Sequence, residues 1–177
     1  MHNQKKQDGL VRRRGGFSLI ETLFYVSLLS LALLIVSETV LVMVRSAETL
    51  RASAHLAQDA GASFARLTRE IRGATGITDV GSVWNTSPGA LTLQTTDAVG
   101  AAKTVEFRVL NGALYLFENN LSLGALTGSS TVLTNLVFRK IPTTESTGVK
   151  IEMTLRSTVG TASSTKSFYA TVVLRSH

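Results

Sequence analysis

The chain has 177 residues, no cysteine and a formal net charge of +6. This length leaves room for one modest domain after a leader and an apolar segment. The lack of cysteine excludes disulfide bonds and thiol catalysis. The charge argues little for nucleic-acid binding, because residues 1–16 carry five basic and one acidic side chain, whereas the remaining chain carries 13 basic and 11 acidic ones.

The chain begins with a basic leader that runs directly into a long apolar segment. Residues 1–16 end in Arg12-Arg13-Arg14-Gly15-Gly16, and the apolar segment extends from Phe17 to Val44. This segment exceeds the roughly 20 residues that a membrane-spanning helix needs. Because basic residues beside an apolar span stay in the cytosol, the C-terminal part is predicted to lie outside the membrane.

Glu21 is a carboxylate near the start of this apolar segment. An ionised side chain at the bilayer centre costs about 2.5–3.5 kcal/mol on insertion scales, so Glu21 requires a partner. Glu38 lies about 25 Å further along a helix axis. It is interpreted either as a residue of the opposite membrane interface or as a second assembly contact.

Two simpler interpretations of the leader explain fewer of its features. An ordinary signal peptide has an apolar core of roughly 7–15 residues followed directly by a small-residue cleavage site. The nearest such pattern, Ala52-Ser53-Ala54, comes only after the charged residues Arg45, Glu48 and Arg51. A plain single-pass anchor explains the length of the segment, but it does not explain the positions of Gly15-Gly16 and Glu21.

Residues 17–72 are predicted to form one continuous helix, since the two prolines, Pro88 and Pro142, come later. From Arg45 the helix is amphipathic, and Gly73 suits its end. Arg66 and Glu70 predict a solvated, salt-bridged face. The apolar stripe is predicted from intervals of three, four or seven residues, and it consists of Leu50, Ala57, Ala60, Phe64, Leu67, Ile71 and Ala74.

After Gly76 the pattern changes to the period of two that is typical of strands. Val105, Phe107, Ile151 and Met153 are predicted to be buried, and Glu106, Arg108, Glu152 and Arg156 exposed. Asn111-Gly112 predicts a type I′ hairpin turn. The short spacing of the strands favours a mostly antiparallel sheet. The predicted strands are 90–95, 104–110, 113–118, 132–140, 149–156 and 166–175.

No constellation of catalytic or metal-ligating residues is found in the sequence. The three histidines, His2, His55 and His177, have no neighbouring nucleophile or carboxylate in a triad or metal pattern. Trp84 and Tyr115 are interpreted as packing residues rather than as exposed binding aromatics. The sequence therefore predicts no catalytic residue, metal, cofactor or small-molecule substrate, and a protein that is not an enzyme.

The residues Gly15-Gly16-Phe17-Ser18-Leu19-Ile20-Glu21 resemble the processing site of type IV prepilins and of type II secretion pseudopilins. The resemblance implies that a prepilin peptidase cuts between Gly16 and Phe17 and methylates the new amine of Phe17. It also implies that Glu21 is an assembly contact that neutralises the N-terminal amine of a neighbouring subunit. The stretches 67–78 and 168–176 are similar to the J-type pseudopilin and PilW-type minor pilin branch.

The resemblance and the patterns together imply an α+β protein with a type IV pilin-like fold, in which a long N-terminal helix packs on a mostly antiparallel sheet. The expected segments are a cytosolic leader (1–16), the transmembrane half of the helix (17–44), its amphipathic half (45–73) and an extracytoplasmic sheet domain (74–177).

The expected function is that of a minor pilin or minor pseudopilin, anchored in the bacterial cytoplasmic membrane and then built into a pilus or pseudopilus. The implied partners are the prepilin peptidase, other pilin or pseudopilin subunits, the inner-membrane assembly platform and the lipid bilayer. The alternative is a membrane-tethered extracellular binding module, such as an adhesin or a DNA-capturing tip subunit.

Overall fold

Ser18 starts the helix α1, which spans Leu19–Gly73. In this computed structural model, which describes residues 16, 18–97, 99–142 and 146–174, the Ser18 carbonyl oxygen accepts hydrogen bonds from the backbone N–H groups of Glu21 and Thr22 at 2.9 and 3.1 Å. Serine is a preferred residue at this capping position. The predicted helix is confirmed from residue 19 onward, and its predicted start at Phe17 lies outside the described residues.

The chain divides into two structural units, Met1–Met43 and Val44–His177. In the first unit the large apolar side chains of α1 are exposed on all sides, from Leu19 at 85% to Val40 at 54%. The mean hydropathy of one 18-residue window of this helix is 2.3. By length and composition, α1 is therefore the one helix of the described chain that could cross a membrane.

The second unit contains two antiparallel sheets. The first has the strand order β1-β2-β3-β4-β5 and the second has the order β6-β7-β8. The strands are β1 Gly76–Val83, β2 Ala90–Thr96, β3 Ala102–Leu110, β4 Ala113–Glu118, β5 Leu121–Ala125, β6 Thr131–Pro142, β7 Thr147–Val159 and β8 Ala162–Val173. The predicted α+β class and antiparallel pairing are confirmed, but the prediction of a single sheet is wrong.

The two sheets separate at the start of β6. The Leu133 N–H donates to the Gly112 carbonyl oxygen at 2.7 Å, so β6 meets the turn between β3 and β4. Its ladder partner is β7, over eleven residue pairs. Because β6 does not pair with β5, the first sheet ends at β5.

The turn between β3 and β4 has the predicted geometry. Asn111 and Gly112 have φ angles of 50° and 74°, as a type I′ turn requires at both central residues. The strands then pair in register, with Leu110 opposite Ala113 and Phe107 opposite Leu116. This turn therefore sets which side chains of β3 and β4 face the core.

One apolar core joins α1 to both sheets within the second unit. Leu67 and Ile71 of α1 are fully buried in a cluster that includes Phe107 of the first sheet and Ile151 of the second. Fully burying a side chain of this size contributes about 1.5–3 kcal/mol. The predicted burial is confirmed at all four positions, Val105, Phe107, Ile151 and Met153.

The buried face of α1 is rotated from the predicted stripe. Ala60, Leu67 and Ile71 are buried as predicted, but Leu50 is 71% exposed and Ala57 is exposed. Both lie roughly 60–80° around the helix from Ala60, on the side away from the core. The buried residues of the helix are Ala52, Leu56, Ala60, Ser63, Leu67 and Ile71.

Three charged side chains that were predicted to be exposed are half-buried, and only Arg156 is exposed as predicted. Arg108 lies over the Phe117 ring, with its guanidinium carbon 3.9 Å from the ring centroid, and pairs with Glu106. Glu152 Oε1 lies 2.9 Å from Lys150 Nζ and 3.2 Å from Arg139 Nε. The paired and stacked neighbours lie along the sheet surface and shield part of Glu106, Arg108 and Glu152 from solvent.

Lys140→Ala is expected to raise the pKa of Asp79 toward its ordinary value. Lys140 Nζ donates to both carboxylate oxygens at 3.1 Å, and this hydrogen bond is the largest cause that holds the pKa of Asp79 below its usual range. Because the folded pKa is lowered, the stabilisation is present above the unfolded pKa and is lost as pH falls through the folded value. NMR titration of the Asp79 carboxyl carbon measures the change, and an unmoved midpoint would contradict it.

Candidate functional site

The candidate site lies at the start of α1, where the sequence places Gly16, Phe17 and Glu21. Gly16 is exposed, and Phe17 lies outside the described residues, so the proposed cleavage and methylation at Phe17 stay predictions. Glu21 lies in the first turn of the helix. A negative charge there is favoured by the unpaired N–H groups and by the dipole of the helix.

Every serine and threonine hydroxyl in the apolar part of α1, from Thr22 to Thr39, has a hydrogen-bond acceptor within the helix. Thr22 donates to the Leu19 carbonyl oxygen at 2.8 Å, and the others donate to the carbonyl oxygen four residues earlier. Such bonding removes the need for water or for another chain. The hydroxyls donating in this second way are those of Ser27, Ser30, Ser37 and Thr39.

The carboxylates of Glu21 and Glu38 differ from these hydroxyls. Glu21 Oε1 has one long contact, with the Tyr25 hydroxyl at 3.5 Å, which is beyond the usual range for an O–H···O bond. Glu38 has no hydrogen bond or ion pair with any residue that the structure describes. Both carboxylates can therefore still accept hydrogen bonds or pair with a cation, whereas the serine and threonine hydroxyls already donate within the helix.

The surroundings of Glu21 are apolar. Its side chain lines a shallow surface hollow with Ile20, Phe24 and Tyr25, and Phe24 is 69% exposed. In lipid, such a carboxylate would gain most from a cation or a strong hydrogen-bond donor supplied by another molecule. The arrangement can therefore bind a positively charged group, although the described chain offers none nearby.

The second unit offers no comparable site among its described residues. Trp84 is partly buried against the core, and its indole nitrogen donates to Asp79 Oδ1 at 3.1 Å. The Tyr115 and Phe117 rings lie 6.4 Å apart, centroid to centroid. His55 is exposed on α1, and no group of three or more metal-ligating side chains occurs in the described part of the chain.

Two carboxylates with a positioning role were not identified from the sequence. Glu48 Oε2 accepts hydrogen bonds from the backbone N–H and the hydroxyl of Thr161, at 3.2 and 3.3 Å. Asp59 Oδ2 accepts one from the Gly128 N–H at 3.1 Å. Both therefore tie the amphipathic part of α1 to loops beside the sheets.

Comparison with known proteins assigns no family. No protein-family model, curated protein or solved structure matches the chain. The support for a function therefore comes from the residues of this chain and their geometry. These are the exposed apolar helix, the carboxylate of Glu21 without a close partner at its start, and the unit with two sheets that follows.

Proposed function

We propose that this protein is a minor pilin or minor pseudopilin, a structural subunit of a type IV pilus or of a type II secretion pseudopilus. The observation that carries the proposal is Glu21, a carboxylate without a close partner in the first turn of a membrane-length, exposed apolar helix. The proposal also implies that the α+β architecture is a type IV pilin-like fold.

Processing is the first step of the proposed mechanism. The basic residues of the leader hold it at the cytosolic face of the membrane, and Gly15-Gly16 leaves the backbone unobstructed for a prepilin peptidase. Cleavage between Gly16 and Phe17 creates a new amine at Phe17. That amine then lies four residues before Glu21, about one helical turn away along the chain.

Assembly is the second step. Before assembly, the subunit is held in the cytoplasmic membrane, with its apolar helix in lipid and its sheet unit outside. In lipid, the Phe17 amine and the Glu21 carboxylate both lack water, and pairing across two subunits offsets the cost of each when the geometry is good. The pair would fix the axial position of one helix relative to its neighbour, because apolar contacts alone allow the helices to slide. The assembly platform and sister subunits are the partners that this step requires.

Gly16→Leu is expected to leave the precursor uncut, because a branched side chain replaces the glycine next to the proposed scissile bond. Mass spectrometry of the N-terminal peptide measures the result: wild type should begin at methylated Phe17, and the variant at the leader. Cells must contain the peptidase. Filament fractions should then contain the wild type but lack the variant.

The matched control for this experiment is Gly9→Leu, which makes the same change inside the leader and away from the proposed bond. It should be processed like wild type. Normal cleavage of Gly16→Leu, or a wild-type N-terminus after Ala54, would contradict the proposed processing and would favour a tethered module or an ordinary signal peptide.

A further inference from the structure

The two sheets have four edges, and two of them are irregular. β1 carries a register shift between Thr78 and Val83 against β2. β5 has only five residues, with a register shift opposite Leu116 and Phe117. Short strands and bulges of this kind prevent a further strand from pairing with an edge. These two edges are therefore poor templates for another chain.

The outer edge of β6 is covered by the chain itself. Trp84 forms an isolated parallel bridge with Phe138. The Asn85 N–H donates to the Phe138 carbonyl oxygen at 2.9 Å, and the Gly89 N–H donates to that of Leu136 at 2.8 Å. The segment from Trp84 to Gly89 thus occupies the positions that an added strand would need.

The edge at β8 has none of these protections. β8 pairs with β7 over twelve consecutive residues, from Ala162 to Val173, with no register shift. It contains no proline, and its one formal charge is Lys166. Nothing in the described part of the chain pairs with its outer side. A long, regular edge strand with so little charge is a template for strand addition.

The hairpin between β7 and β8 identifies the free backbone groups. Its two-residue turn is Gly160-Thr161, with Gly160 at φ 58°, which is the position that a type II′ turn gives to glycine. Val159 and Ala162 then form a hydrogen-bonded pair, and such pairs alternate along the ladder. The residues whose N–H and C=O groups point outward are consequently Ser163, Thr165, Ser167, Tyr169, Thr171 and Val173.

We propose that β8 binds β8 of a second copy of this chain, antiparallel, so that two three-stranded sheets form one six-stranded sheet. The twofold pairing that uses every outward residue places Ser163 opposite Val173 and Phe168 opposite its own twin. It forms roughly a dozen backbone hydrogen bonds. This inference depends on the fold of the second unit and not on the proposed filament function.

The number of paired outward residues favours this register, and Lys166 disfavours one of its competitors. With Phe168 at the centre, each Lys166 lies opposite Ala170, and no like charges meet. Sliding one strand by four residue positions, so that Lys166 becomes the centre, would place two ammonium groups directly opposite each other, which is destabilising. The favoured register also places Ser167 opposite Tyr169, which is 66% exposed in the single chain.

The lack of native cysteine makes disulfide trapping a direct test. Phe168→Cys should form a disulfide-linked dimer, because opposite residues that do not exchange hydrogen bonds have Cα atoms about 4.5 Å apart, within the range that a disulfide accepts. The full-length chain is oxidised in the membranes of the cells that produce it. Non-reducing gels and mass spectrometry of the linked peptides identify the product.

A second pair of variants fixes the register and does not disturb Phe168. Lys166→Cys and Ala170→Cys, produced together, should crosslink with each other. Neither should crosslink alone, because in the proposed register two copies of residue 166 are at least about 13 Å apart. The mixed disulfide would support the proposal even if Phe168→Cys proved unstable. Self-linking of Lys166→Cys as strong as in the mixture would overturn the register.

Proline substitution separates edge pairing from folding. Ser167→Pro removes an outward N–H, so the β7 ladder should remain intact while the dimer is lost. Phe168→Pro removes an inward N–H and should destabilise the sheet itself. Light scattering of the purified full-length chain in mild detergent measures the dimer, and circular dichroism monitors folding.

Three outcomes would overturn the proposal. One is the absence of any disulfide dimer above the background of random collision in both designs. Another is a dimer that Ser167→Pro leaves intact. The third is a Phe168→Cys adduct with a different polypeptide, which would show that the edge accepts a partner strand instead of a second copy.

Discussion

Ile151→Asp is expected to destabilise the sheet unit by about 4 kcal/mol or more, the range reached when an unpaired charge is buried in a core. Ile151 is fully buried and belongs to the cluster that joins α1 to both sheets. Because whole domains have about 5–15 kcal/mol of stability, the variant should be partly or wholly unfolded at physiological temperature. Urea denaturation of the fragment 45–177 measures the change.

Two variants on β7 serve as controls for Ile151→Asp. Thr158→Asp introduces the same side chain at an exposed position of the strand, and it should change the free energy of unfolding by less than about 0.5 kcal/mol. Ile151→Val removes one buried methyl group and should cost about 0.5–1.5 kcal/mol. An unchanged denaturation midpoint for Ile151→Asp would mean that the inward face of β7 is wrongly placed.

Glu21→Gln is expected to prevent incorporation into filaments while leaving membrane insertion and cleavage normal. Glutamine keeps the size of the side chain and part of its hydrogen bonding, but it removes the charge that the neighbouring Phe17 amine is proposed to meet. The unpaired amine would then stay in lipid at a cost of several kcal/mol. Sheared filament and membrane fractions from the same cells should show the loss in the first and wild-type amounts in the second.

Glu38→Gln is the matched control, since it makes the same change on the same apolar helix. The interpretation of Glu38 as an interfacial residue predicts that this variant enters filaments like wild type. If both variants are excluded, Glu38 is a second assembly contact. If Glu21→Gln enters filaments as well as wild type does, Glu21 is not an assembly contact, and a membrane-tethered module becomes the better description.

The elements that the sequence predicts well are those whose pattern is local. β3 and β7 alternate over most of their length, and the alternation alone predicts the buried residues Phe107 and Ile151. β1 and β5 were missed because Gly81 and Gly124 interrupt any alternation, with φ angles of 88° and 120°. Strand periodicity describes one strand, whereas irregular strands depend on the neighbour that they cover.

The division into two sheets and the rotation of the helix face could not be derived in this way. The covered edge of β6 depends on Trp84 meeting Phe138, a contact between distant parts of the chain. On α1, alanines lie on both the buried and the exposed side, so composition alone leaves the direction of the buried face open. Exposed Leu50 and buried Ala52 differ only in which side the sheets occupy.

The sequence predicts only the part of the candidate site that lies within one chain. Glu21 lies in the first turn of the helix, as predicted, but the amine proposed to pair with it belongs to another subunit. Glu48 and Asp59 were missed for a different reason: their donors are main-chain groups 113 and 69 residues away. A backbone N–H is present at nearly every residue, so nothing in the sequence marks such a donor.

Glu48 and Asp59 each accept a main-chain N–H, and only Thr161 adds a side-chain donor, so most positions of the loops that they hold are free to diverge in sequence over evolution. The exception is Gly160, because its φ of 58° is one that few other residues adopt and a Cβ there would collide with the Glu48 carboxylate. Random mutagenesis of the turn around residue 160, followed by selection for folded protein, should therefore return many different neighbours but keep the glycine. Distant relatives of this chain would then share the two carboxylates and the glycine at 160 in places where their loops no longer align.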